Sequence, residues 1–76
     1  MVSRIKKIGF TGYVVKVYCD GFISHVDVFE REPEQHELEF CIADGIKEFV
    51  DIQGRVPENI RIAVEKVEYV ADIEWR

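Results

Sequence analysis

Cysteine, proline, methionine and tryptophan are scarce in this chain of 76 residues, at two, two, one and one copies. Two cysteines cannot build the disulfide framework that props up many small secreted domains. The spacing of Cys19, His25, His36 and Cys41 lacks the paired C-x-x-C and H-x-x-x-H signature of a structural zinc site, so no metal or cofactor is expected. No apolar run reaches the roughly 18 residues of a membrane span, and the segment from Met1 to Lys7 lacks the apolar stretch of a secretory leader. A cytoplasmic location is the resulting expectation. No glycine-rich phosphate loop opens a helix, and Ser24 and Cys19 fall on the predicted core face, where His25 cannot reach them from within its own strand to act as a base. No catalytic residue is assigned, and an enzyme is not expected.

What remains is enough for a folded globule. Hydrophobic residues make up 47% of the chain, including five Phe and three Tyr, which argues against disorder. The length allows one domain over residues 1–76, with a thin core whose stability oligomerisation would help. Charge is unevenly placed. Arg4, Lys6, Lys7 and Lys16 stand in the first nineteen residues without an acid, and all 15 acids lie from Asp20 onward within a net charge of −5.

The stretch from Pro33 to Gly54 is the one segment long enough for a full helix. Leu38, Cys41, Ile42, Gly45, Ile46, Phe49, Ile52 and Gln53, with Val50 at the margin, recur at helical spacing and define a core-facing side. Pro33 suits a first turn, Glu32, Glu34 and Glu37 suit the positive end of the helix dipole, and Gly54 offers a left-handed stop. A rival parse makes Glu37 to Ile42 a strand followed by a short helix from Asp44. Phe40 separates the two, pointing outward in the long helix and inward in the strand.

Before the helix, Arg4 to Ile8 reads as a short strand ended by Gly9-Phe10-Thr11-Gly12. Tyr13 to Cys19 and Phe22 to Phe29 then flank Asp20-Gly21, a dipeptide that favours a type I′ hairpin because both positions need positive φ. Regular pairing across that turn matches Cys19 with Phe22, Val17 with Ser24, Val15 with Val26 and Tyr13 with Val28 on an apolar face. Val14 with Asp27, Lys16 with His25 and Tyr18 with Ile23 take the reverse face, which sends Cys19 and His25 to opposite sides. From Ile60 to Trp75 the apolar alternation changes phase at Glu65-Lys66, predicting a second hairpin or, preferably, one strand with a bulge. The expected class is α+β: an antiparallel sheet of three to five strands, comprising an N-terminal hairpin and a C-terminal strand or hairpin, with one helix packed on one face.

The functional expectation is a small acidic, non-catalytic interaction module that binds and modulates another protein bearing a basic surface. Its candidate binding surface is Phe40 among Glu30, Glu32, Glu34, Glu37, Glu39 and Asp44, an aromatic ringed by like charge. One alternative is a nucleic-acid-associated protein using Arg4, Lys6, Lys7 and Lys16, a reading that the acidic balance disfavours. The other is a homo-oligomer paired through the exposed edge of the strand from Val70 to Trp75.

Overall fold

The Asp20-Gly21 turn organises the chain. In the computed structural model, which describes residues 4–75, both turn residues have positive φ, 50° and 84°, as a type I′ hairpin demands. The turn joins β1 (Arg4–Cys19) to β2 (Phe22–Phe29). A single helix, α1 (Gln35–Gln53), and a last strand, β3 (Ile60–Trp75), complete the order β1-β2-α1-β3. The sheet is antiparallel with β1 central, in the order β2-β1-β3. The architecture is α+β, with three strands and one helix.

The long-helix parse holds. Glu34 is the residue before the first turn, its N–H donating to the Glu37 carboxylate at 3.1 Å, and Gly54 ends the helix in the left-handed conformation with its N–H donating to the Val50 carbonyl at 2.8 Å. Pro33 lies just ahead of this cap and not in the first turn. Cys41, Gly45 and Phe49, each four apart, form the buried stripe, whereas Ile52 and Gln53 at the end of the helix are exposed. Phe40 points outward at 69% exposure. The core consists of Val15, Val17 and Cys19 from β1 against Cys41 and Phe49, with Phe29, Leu38 and Ile62 packed at its edge.

Three expectations about the strands need correction. Gly9 to Gly12 does not end a strand: β1 runs unbroken from Arg4 because β3 pairs with it at every position from Arg4 with Trp75 to Cys19 with Ile60. Cross-strand bonding there outweighs the weak strand preference of glycine.

The C-terminal segment is neither a hairpin nor a bulged strand, since that same register passes through Glu65 and Lys66 without a shift. The phase change instead records a change of face. Ile60, Ile62 and Val64 share the helix side of the sheet with Cys19, Val17 and Val15, while Val67, Tyr69, Ala71, Ile73 and Trp75 lie on the opposite side with Gly12, Phe10, Ile8, Lys6 and Arg4.

The bulge is in β2. Pairing slips between Val17 and Tyr18, so Ser24 is the extra residue and Val17 faces His25, Lys16 faces Val26, Val15 faces Asp27 and Val14 faces Val28. Beyond Ser24 every side chain is therefore on the face opposite to the one expected.

The molecule is long and thin. Its radius of gyration is 17.1 Å and its extents are 56 × 25 × 18 Å. A compact chain of this length would have a radius near 11 Å, roughly. The excess comes from the two-stranded arm of β1 and β3 beyond the end of β2, which no other described element covers.

Candidate functional site

Three surfaces carry the residues of interest. The first is the sheet face turned away from α1. Ile23, Val26 and Val28 of β2, Ile8, Phe10, Val14 and Tyr18 of β1, and Val67, Tyr69, Ile73 and Trp75 of β3 all belong to it by register. Among the described residues no helix or loop lies over it. Phe10 and Tyr69 stack on each other with ring centroids 5.0 Å apart, and the Arg61 guanidinium lies 4.1 Å over the Tyr18 ring. Tyr69 and Trp75 remain 48% and 57% exposed. Apolar side chains thus recur along the whole length of this face, with Lys6, Lys16, Arg61 and Glu65 set among them.

Its charge is the reverse of the protein's. Arg4, Lys6, Lys16 and Arg61 share this face, where Glu65 is the acid. Of the basic residues singled out in the sequence, Arg4, Lys6 and Lys16 share this face, but Lys16 lies ten residues along β1 from Lys6, so they form no cluster. Lys7 is separated from them, on the helix side, in a 3.0 Å ion pair with Asp72.

The second surface is the start of α1. Phe40 stands exposed beside Glu39 and Asp44. Glu30, Glu32 and Glu34 approach along the preceding loop, all exposed. Glu37 is engaged in structure: its carboxylate accepts from the Glu34 N–H and pairs with Arg31 at 3.0 Å. The Glu34 N–H first, and then Arg31, hold the Glu37 carboxyl below its ordinary range.

The third was not expected. The Ser24 bulge turns His25 and Asp27 toward the helix and Val26 and Val28 away from it, leaving the two valines 52% and 55% exposed. Burying a valine is worth about 1.5–3 kcal/mol, so the regular hairpin would have gained where this one forgoes. One ring nitrogen of His25, a carboxylate oxygen of Asp27 and the Cys41 sulfur lie within 4.8 Å of one another. The His25 Nε2 atom is buried without a hydrogen-bond partner, and its distance to Asp27 Oδ2 is 3.9 Å.

Gly45 makes the approach of helix and sheet possible, because a Cβ there would sit 2.7 Å from Val17 Cγ1 and 2.9 Å from Ser24 Oγ. A groove of about 220 Å³ beside the cluster is lined by Asp27, Phe29, Glu37, Phe40, Cys41 and Asp44. Burial first, then the carboxylates of Asp27, Asp44 and Glu37, push the Cys41 thiol up. A thiol 2% exposed and so shifted is a poor nucleophile, whatever stands beside it.

The sequence reading missed this cluster because it assumed regular pairing. His25-x-Asp27 and Cys41-x-x-Asp44 are legible spacings, each placing its pair on one face of a strand or helix, but only the bulge turns them toward each other. Both cysteines are buried with free thiols, and Ser24 Oγ donates to Cys19 Sγ at 3.2 Å.

No helix among the described residues is long and apolar enough to cross a membrane. Comparison with protein-family models, with curated proteins and with solved structures finds no match to this chain.

Proposed function

We propose that the protein is a small non-catalytic interaction module that binds another protein through the open face of its sheet. One observation carries the reading: at Glu65-Lys66 the apolar residues of β3 cross from the helix side to the open side, at the point where the arm leaves the helix behind. A solvated arm has little use for Val67, Tyr69, Ala71, Ile73 and Trp75 gathered on one side, while the other side mixes Glu68, Asp72 and Glu74 with Val70 and Ile5. An arm that docks does use them, because hydrophobic burial against a partner supplies the affinity. Arg4, Lys6, Lys16 and Arg61 on the same face select a partner whose apolar surface is flanked by acids, and they oppose stacking of two such faces from like copies. This partner is opposite in charge to the one expected for the Phe40 surface, which offers one aromatic where the sheet offers a continuous field.

The test uses Ile8→Glu and Trp75→Glu, both at exposed positions of the open face. Each should leave the melting temperature near that of the parent, since exposed substitutions usually stay within about 0.5 kcal/mol. Sedimentation at micromolar concentration should give a monomer, and affinity capture from the native host should recover a protein that both variants lose and Phe40→Ala retains. A stable dimer dissolved by Ile8→Glu would assign the face to a second copy. Retention of the captured protein by both variants, or tight binding of a single-stranded oligonucleotide abolished by them, would also overturn the reading.

A further inference from the structure

The His25, Asp27 and Cys41 cluster is independent of the open face and has a chemistry of its own. We infer that these three side chains form a site for a divalent metal ion of the zinc class, binding β2 to α1.

The donor set is the first argument. An imidazole nitrogen, a thiolate and a carboxylate are the three ligand types that a borderline-soft ion takes together, and three protein ligands leave one position for water. Their ligand atoms already lie within 4.8 Å of one another, so modest side-chain rotation closes them on one ion.

The second argument is the His25 Nε2 atom, which is buried and has no hydrogen-bond partner. Native proteins leave very few buried polar atoms unsatisfied, and a missing ion is one of the physical reasons for such an atom.

The third is the backbone. The Ser24 bulge turns two polar side chains to the helix side at the expense of two valines, and Gly45 brings the helix close enough to meet them. Departures from regular pattern of this kind are concentrated at functional sites. Asp27, Glu37 and Asp44 line the adjoining groove and give it a negative potential that favours a cation.

On binding, the Cys41 sulfur loses its proton to solvent and donates a lone pair to the metal, with no change of oxidation state. The ion would then fasten the edge strand β2 to the helix and fix the bulge that holds Val26 and Val28 on the open face.

The test takes the full chain, stripped with chelator under reducing conditions, and titrates it with zinc chloride and separately with cobalt(II) chloride. Native mass spectrometry should show one zinc per chain. The cobalt form should show a near-ultraviolet thiolate-to-metal band, and zinc should raise the melting temperature. Cys41→Ser and His25→Asn should lose the band and the thermal shift, while Cys19→Ser and His36→Asn should keep both. Circular dichroism separates loss of site from loss of fold. Should either ligand variant fail to fold, Asp27→Asn, at an exposed position, and the parent titration decide the matter. A parent chain that takes up no zinc, or a cobalt band that survives Cys41→Ser or vanishes in Cys19→Ser, overturns the assignment.

Discussion

Gly45→Ala sets two effects of known size against each other. In an exposed helix interior, replacing Gly with Ala stabilises by about 1 kcal/mol, because glycine loses the most backbone entropy on folding. At position 45 the new Cβ would lie 2.7 Å from Val17 Cγ1, 3.0 Å from Val17 Cβ and 2.9 Å from Ser24 Oγ. Carbon atoms rest at roughly 3.5–4.0 Å, so the contact must open by nearly an ångström. Val17 cannot yield, since it is 0% exposed and its strand is held on both sides by β2 and β3. Ser24 could rotate only by giving up its bonds to the Val17 carbonyl at 3.3 Å and to Cys19 Sγ at 3.2 Å.

The helix must therefore withdraw, and overpacking of this kind costs about 1–3 kcal/mol. The net expectation is destabilisation by about 1 kcal/mol, a fall of roughly 4–8 °C in melting temperature for a domain of this size. Urea unfolding followed by circular dichroism measures it. Ala43→Gly, at an exposed position of the same helix, serves as the control and should lose about 1 kcal/mol through propensity alone. A Gly45→Ala protein as stable as the parent, or more so, would show that the helix does not ride on Val17 as closely as described and would refute the argument.

Asp20 predicts an acid-side loss of stability. Its carboxylate accepts from the Asn59 N–H at 2.8 Å, pairs with Arg55 at 2.7 Å and accepts from the Glu58 N–H at 2.9 Å. Together these hold its carboxyl below the ordinary aspartate range, so its contribution is complete above that range and lost as the pH falls below about 4. The urea midpoint of Asp20→Asn should lie below the parent's at neutral pH and converge with it in acid; parallel profiles would sink the assignment. Phe40→Ala should leave the melting temperature within a degree or two, since the ring is 69% exposed, and a drop of several degrees would make it a core residue.

The features that sequence showed well are those fixed within a few residues. The helix is written in the recurrence of Cys41, Gly45 and Phe49 and in its stop at Gly54, whose φ of 70° suits glycine. The hairpin turn is written in Asp20-Gly21, for the same reason. The strand faces were misread because alternation reports which side is apolar and not which side the helix covers. Reading β3 as one buried side throughout forced a bulge at Glu65-Lys66 that the register lacks. Reading β2 as regular missed the bulge at Ser24, where no Gly or Pro announces it. Phe40, Glu39 and Asp44 are exposed as helix phase alone requires, whereas Glu37 is half-buried in the helix cap and paired with Arg31. The His25, Asp27 and Cys41 cluster depends on the bulge and was out of reach.

These two departures point the same way, though one lies in β2 and the other in β3. The bulge carries Val26 and Val28 off the helix side and onto the face that already holds Ile23, Val14 and Tyr18. The change of phase carries Val67, Tyr69, Ala71, Ile73 and Trp75 onto that face too, beside Phe10 and Ile8. Neither requires the other: a regular β2 would pair with β1 equally well, and β3 could have kept its apolar residues on the helix side. For an isolated monomer the bulge is unfavourable, because it exposes valines whose burial would add to a core of Val15, Val17, Cys19, Cys41 and Phe49, whereas no other described element covers the arm of β1 and β3 on either side and its apolar residues gain nothing from either. A local loss in β2 and a choice of side in β3 that enlarge the same apolar face have a common physical explanation if that face is covered in the working assembly, where the burial forgone at Val26 and Val28 is recovered on docking.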